Sequence, residues 1–386
     1  MKHDELNQYI DQAGPAMLAD LERLVNQNSG STNYQGVERV IDACRGILTP
    51  LGFSCTKKAR PGQVVNLVAR GPKSRGVRIL ALGHADTVFP PEEPQRFFRS
   101  LGKKCYGPGV FDMKGGLIAL FYALKALKAK IGYPNRINVL INGDEERSSQ
   151  FSQPLIEAEA RRADLVLVME PALGRWTVAT ERSGTARYLL SVTGRAAHVG
   201  RDPEKGVSAI REMAHKVIAL EGLNDFPKGI HVNSGLIQGG IARNVVPPRA
   251  EAAIDVRFRH ESDAEQVLAA IEEIAARTFL PGTRTRLAGG YRRPPLETSP
   301  GGRQFFQLAK KIAARNGWRL KQGRTGGASD GNFAARLGLP TLDGLGPAGA
   351  HAHSEKEFII TESLFERAKL IGQILAADFG SLLTEK

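Results

Sequence analysis

GGLIALFYALKALKAK (115–130) followed by RINVLING (136–143) decides the fold class. In the first segment Leu, Ile and Phe recur at helical spacing, so it reads as a helix. The second is a short apolar run closed by Gly143, the pattern of a buried strand. The same texture extends outward. QVVNLVAR (63–70), VRILALGH (77–84) and DLVLVME (164–170) are rich in Val, Ile and Leu and are bounded by Gly, Pro or charged residues. Strands that alternate with helices imply an α/β domain with a largely parallel sheet. Upstream, residues 4–26 read as helix, with Pro15 marking a start or a break. Ser31 and Thr32 can cap a further helix that runs to about Pro50.

After about Arg182 the texture changes. TARYLLSVTG (185–194) alternates like a half-buried strand, a helix is expected near 206–221, and GLIQGG and AEAAIDVRFRH read as strands. Glu261 to Thr278 reads as helix and TRTRLAGGY as a last strand. Two helices and four alternating strands make a small α+β unit with a one-sided sheet. From about Pro294 the α/β texture returns: helix over Phe305–Asn316, strand in GLPTLDG, closing helix over Thr361–Phe379. The expected organisation is a discontinuous α/β domain (1–182 and 294–386) interrupted by an α+β insert (183–293). A length of 386 residues agrees with two domains.

Composition narrows the function. The chain is 42% hydrophobic and 24% charged, as in ordinary globular proteins. No run approaches the roughly 18 apolar residues of a membrane span, and MKHDELNQYI lacks the apolar centre of a signal peptide. Three cysteines (Cys44, Cys55, Cys105) form neither a disulfide framework nor a CxxC pair, so a cytoplasmic setting is expected. The net charge of +13 is spread over scattered Lys and Arg, with 6% aromatic residues. Nucleic-acid binding needs a concentrated basic face, so no nucleic-acid partner is expected, nor a membrane. Mild attraction of acidic substrates and a plain mixed surface both remain compatible with the charge.

Five short clusters carry the chemistry, each after an expected strand or in a Gly-rich turn. In Gly83-His84-Ala85-Asp86-Thr87, His84 can face a metal while Asp86 orients the ring; a surface His beside a turn Asp is the plainer alternative. In GPGVFDMKGG (107–116), Asp112 sits in a Gly-rich turn before a helix, as a ligand or as a helix cap. Asp144-Glu145-Glu146 offers adjacent carboxylates, one for a metal and one for proton transfer, or a solvated acidic loop. Glu170 ends a buried strand, where an unpaired charge is costly. GAHAHS (349–354) holds His351 and His353 in a loop that is either a ligand source or simply polar.

As an ordered set, GHADT … GPGVFDMKGG … GDEER … MEP … AHAHSEKE resembles the M20 family of zinc-dependent metallopeptidases, in particular its glutamate carboxypeptidase (carboxypeptidase G2) type. The resemblance covers nearly the whole chain, insert included. It implies a zinc-peptidase-like catalytic domain and a ferredoxin-like insert that serves as lid and dimerisation domain, giving a homodimer. It implies two zinc ions per subunit, with manganese or cobalt able to substitute. His84, Asp112 and Glu170 would hold one ion; Asp112, Glu146 and His353 would hold the other. Ser354 directly after His353 fits the family better than the surroundings of His351, and both histidines have a Glu four positions on. Glu145 would be the general base and Asp86 the partner of His84. In the insert, His198 resembles the histidine that reaches into the partner subunit's site, a surface His being the alternative. Asn244, Arg257, Arg293 and Gly327 match or lie near substrate-binding positions, where an arginine suits a substrate carboxylate. The implied reaction is hydrolysis of an amide next to a free carboxylate, releasing a C-terminal glutamate or similar residue. Deacylation of N-acyl amino acids and dipeptide cleavage share the same metal site and stay open.

Overall fold

The computed structural model describes residues 2–60, 62, 64–92 and 96–380. They divide into two compact units: residues up to 181 with 298–325 and from 329 on, and residues 182–297 with 326–328.

The larger unit is built on a six-stranded mixed sheet. Its order is Ser54–Arg60, Val64–Arg70, Arg136–Asn142, Arg78–His84, Leu165–Val168 and Thr341–Leu342. The first two pairings are antiparallel and the last three parallel. Gln63, the first residue of the expected strand 63–70, lies outside the described residues. Because successive side chains of a strand point to opposite faces, Ile79 and Ala81 enter one core and Leu80 and Leu82 another. The first face is covered by the helix Gly115–Lys130, which is buried nearly all round between the sheet and the helices Lys2–Gln12, Gly14–Val25 and Thr361–Leu375. Gly116 allows this packing, since a Cβ there would lie 1.9 Å from the Met169 carbonyl oxygen. The second face is covered by Gln153–Ala160 and Gly331–Arg336, with Ile156 and Phe333 in the core.

Two local readings change. The segment 4–26 is two helices, Lys2–Gln12 and Gly14–Val25, and Pro15 occupies the first turn of the second, where its missing N–H costs nothing. Neither Ser31 nor Thr32 caps the next helix, Tyr34–Leu48. Asn33 does so, its side chain accepting from Gly36 N at 3.0 Å. The Ser31 hydroxyl instead donates to Asp86, 55 residues away in sequence.

The smaller unit is a four-stranded antiparallel sheet in the order His231–Gly239, Arg249–Phe258, Gly184–Thr193, Arg284–Arg293. Along Arg249–Phe258, Ala250, Ala252, Ile254, Val256 and Phe258 are buried and the residues between them are not. The buried face packs on the helices Ala209–Glu221 and Glu261–Ala276. Inside, Lys216 and Glu212 form a fully buried ion pair at 3.2 Å, and Lys216 Nζ also donates to carbonyls at the end of the second helix.

Candidate active site

The carboxyl ends of three adjacent parallel strands supply most of the site, the usual place for ligands in such sheets. His84 ends Arg78–His84, Glu145 and Glu146 follow Arg136–Asn142, and Glu170 follows Leu165–Val168. Asp112 comes from the turn before the helix Gly115–Lys130, and His353 from the loop between two short strands, Gly349–Ala350 and Phe358–Ile360.

These residues converge. Asp112 presents one oxygen to each of two imidazoles: Oδ1 lies 3.2 Å from His84 Nε2 and Oδ2 lies 3.2 Å from His353 Nε2. Glu170 stands 3.6 Å from His84 Nε2, and Glu146 stands 3.3 Å from His353 Nε2. One donor atom from each of His84, Asp112 and Glu146 lies within 4.8 Å of the others, and so does one from each of His84, Glu145 and Glu170. His351 takes no part in this cluster; its ring lies beside Phe358, with centroids 5.9 Å apart.

Burial and charge leave marks on the cluster. Burial pushes Asp112 upward, but the hydrogen bonds and charges of His353 and His84 outweigh it and hold the carboxyl below its ordinary range. Burial raises Glu146 to about 7, against the His353 hydrogen bond and helped by the Asp112 charge. The Asp112 and Glu146 hydrogen bonds raise His353 to about 10 against its partial burial. Burial opposes the charged form of His84, yet Asp112, Asp86 and Glu170 together raise it well above an ordinary imidazole. Three carboxylates and two imidazoles crowded this closely form a donor set that fits divalent cations.

Three buried acids, Asp86, Glu357 and Asp144, hold the cluster in shape; of these the sequence assigns a role as partner of His84 to Asp86. Its carboxylate lies 3.5 Å from His84 Nδ1, while its backbone oxygen lies 3.0 Å from the same nitrogen. The carboxylate also accepts the backbone N–H groups of Glu145 and Glu146, at 3.1 and 3.2 Å. Glu357 accepts from Gly109 N, Phe111 N and Asp112 N, each at 2.9 Å, so it fixes the turn that carries Asp112. Burial raises Glu357 to about 7 despite those three donors. Asp144 bonds Ser152 Oγ and Phe151 N and closes the loop beyond Glu146. Glu357 had a visible signal, four positions after His353, but its role depends on long-range contacts.

The other expected residues belong to the smaller unit. His198 is exposed, its Nδ1 accepting from Gly200 N, and it pairs through the backbone with Val245, next to exposed Asn244. Arg257 grips Asp255 with two nitrogens, at 2.6 and 3.2 Å, and donates to Gly326 O. Arg293 is buried in the strand Arg284–Arg293 opposite Thr185. Gly327 is exposed, and its carbonyl accepts from the buried Arg182, a residue that sequence reading passed over.

Residues 80–377 match the model of peptidase family M20/M25/M40. The chain belongs to this family. Among M20 relatives, carboxypeptidase G2 of Pseudomonas sp. strain RS-16 is 32% identical over 373 residues, covering 95% of this chain and 90% of that protein. Succinyl-diaminopimelate desuccinylase of Bordetella parapertussis is 31% identical over 345 residues, covering 82% and 86%. An M20 family metallo-carboxypeptidase from Sulfolobus solfataricus superposes with a TM-score of 0.77 at 17% identity, covering 93% of this chain and 98% of that one, which shows a shared fold. As an M20 member, the chain is a metallohydrolase of the peptidase and amidohydrolase class.

Proposed function

We propose that this M20 chain uses two divalent cations, zinc by preference, to release a C-terminal amino acid such as glutamate from an amide. The observation that carries the reading is the Asp112 carboxylate, one oxygen toward each imidazole, with Glu170 beyond one and Glu146 beyond the other. On this reading His84, Asp112 and Glu170 hold one cation, and Asp112, Glu146 and His353 hold the second. Imidazole with carboxylate suits zinc, and manganese or cobalt can replace it. Bound there, the cations supply Lewis acidity toward a carbonyl oxygen and lower the pKa of a water.

The chain's own groups do the rest. Glu145 takes a proton from the attacking water and returns it to the leaving amine. Its backbone N–H is fixed by Asp86, which also keeps His84 Nε2 turned toward Asp112. His198 donates to the scissile carbonyl oxygen as charge develops there, in the site of the partner subunit of a homodimer. Asn244, Arg257, Arg293 and Gly327 recognise the substrate, with a guanidinium for its free carboxylate. Among the described residues no further strand pairs with the outer side of His231–Gly239, and exposed Leu236 and Ile237 in its second half support self-association through the insert. Three free cysteines support a reducing, cytoplasmic setting.

A second reading is deacylation of N-acyl amino acids, favoured by the desuccinylase relative. A panel of folyl-glutamates, N-acyl amino acids and dipeptides, offered to cation-loaded protein, separates the two. Fastest turnover of peptidyl or acyl glutamates supports the carboxypeptidase reading. Preference for N-succinyl or N-acetyl substrates supports the deacylase. No turnover of any member contradicts both.

A further inference from the structure

Asp330 is 4% exposed and has no part in the chemistry above. Its carboxylate accepts from two side chains, Asn142 Nδ2 at 2.6 Å and the Ser149 hydroxyl. Asn142 ends the strand Arg136–Asn142, and Ser149 closes the turn that begins at Asp144, its N–H bonded to the Asp144 carbonyl at 2.8 Å. The two partners therefore bracket the segment that carries Glu145 and Glu146. That segment is not relaxed. Ser148 and Ser149 have φ of 67° and 50°, the left-handed region that side-chain-bearing residues rarely adopt. Asp86 holds the front of the turn through the N–H groups of Glu145 and Glu146, while Asp330 holds its rear through the second left-handed serine.

We propose that Asp330 is a positioning residue, which fixes the turn bearing Glu145 and Glu146 by clamping Asn142 and Ser149 together. The effect on turnover rests on the hydrolase reading; the effect on the turn does not. Asp330→Asn keeps the shape but puts an amide donor where one of the two donors was accepted. We expect kcat to fall about 10–100-fold, as for other groups that orient a metal site from behind, with KM within about two-fold of wild type. Ser149→Ala breaks the same link, so the double variant loses little more than the worse single one. On a Glu145→Gln background, where one of the two positioned carboxylates is gone, Asp330→Asn costs clearly less than it does in wild type. Amide hydrogen exchange gives the independent readout. In Asp330→Asn it rises in residues 144–149 and stays as in wild type in Arg78–His84 and Leu165–Val168.

An unchanged kcat, a loss that multiplies fully with Glu145→Gln, or exchange that rises equally in all core strands overturns the proposal. So does unchanged exchange in 144–149. If wild type and Glu145→Gln are equally inactive on every amide, the hydrolase reading falls, and the exchange result alone decides the role of Asp330.

Discussion

Asp112 stands between two imidazoles whose contacts favour the protonated form. Contacts with Asp112 and Glu146 raise His353 to about 10, and His84 is likewise raised. A coordinating imidazole must be neutral, so a cation displaces those protons. We therefore expect loading at pH 7 to release protons from both histidines and a further fraction from Glu146, which burial raises to about 7. Because the histidines' folded-state values lie above neutrality, protons compete throughout the range from pH 6 to 8, and affinity rises with pH across it. Titration in two buffers of different ionisation enthalpy measures the release; uptake without proton release would contradict the assignment of His84 and His353. Glu145 makes a separate prediction. Glu145→Gln keeps size and polarity and removes the base, so kcat falls about 10²–10⁴-fold while cation stoichiometry is unchanged. Equal loss of cation binding would make Glu145 a ligand rather than a base.

At the level of elements, the strand ends place the chemistry, and the packing of one helix holds them in register. Gly116 lies where Gly115–Lys130 passes Met169, the residue before Glu170. Gly116→Ala forces a Cβ onto a backbone oxygen that cannot swing away, so we expect a loss of about 3 kcal/mol in denaturant-measured stability. A loss below about 0.5 kcal/mol, typical of exposed sites, would show that the helix can shift. This element level was also the most legible in sequence. Apolar runs such as VRILALGH and DLVLVME announce buried strands by themselves, and the Asp, Glu and His residues just beyond them stand out against those runs. What remained hidden depends on tertiary contact. Ser31 has the chemistry of a helix cap, but the Asp86 carboxylate competes for its hydroxyl and Asn33 caps the helix. Glu357 reaches the backbone of Asp112 across 245 positions, and Asp330 reaches Asn142 across 188, distances at which spacing carries no information.

On the scale of the whole molecule, His231–Gly239 is an outer strand of the smaller unit's sheet; the Asn224 and Glu221 side chains bond its backbone at Val232 and Ser234, and beyond them Leu236 is 72% and Ile237 60% exposed. Edges of this kind invite pairing with another chain. Replacing both residues with aspartate should leave the fold intact and turn a dimer into a monomer, as read by light scattering. A monomeric wild type would contradict the dimer assignment. The proposed sharing of Asp112 by two cations can be read out by anomalous X-ray diffraction at the zinc absorption edge, from crystals of zinc-loaded protein. Two peaks are expected near the Asp112 carboxylate, one against His84 and Glu170 and the other against Glu146 and His353. A single peak, or peaks that leave Asp112 uncoordinated, would contradict it.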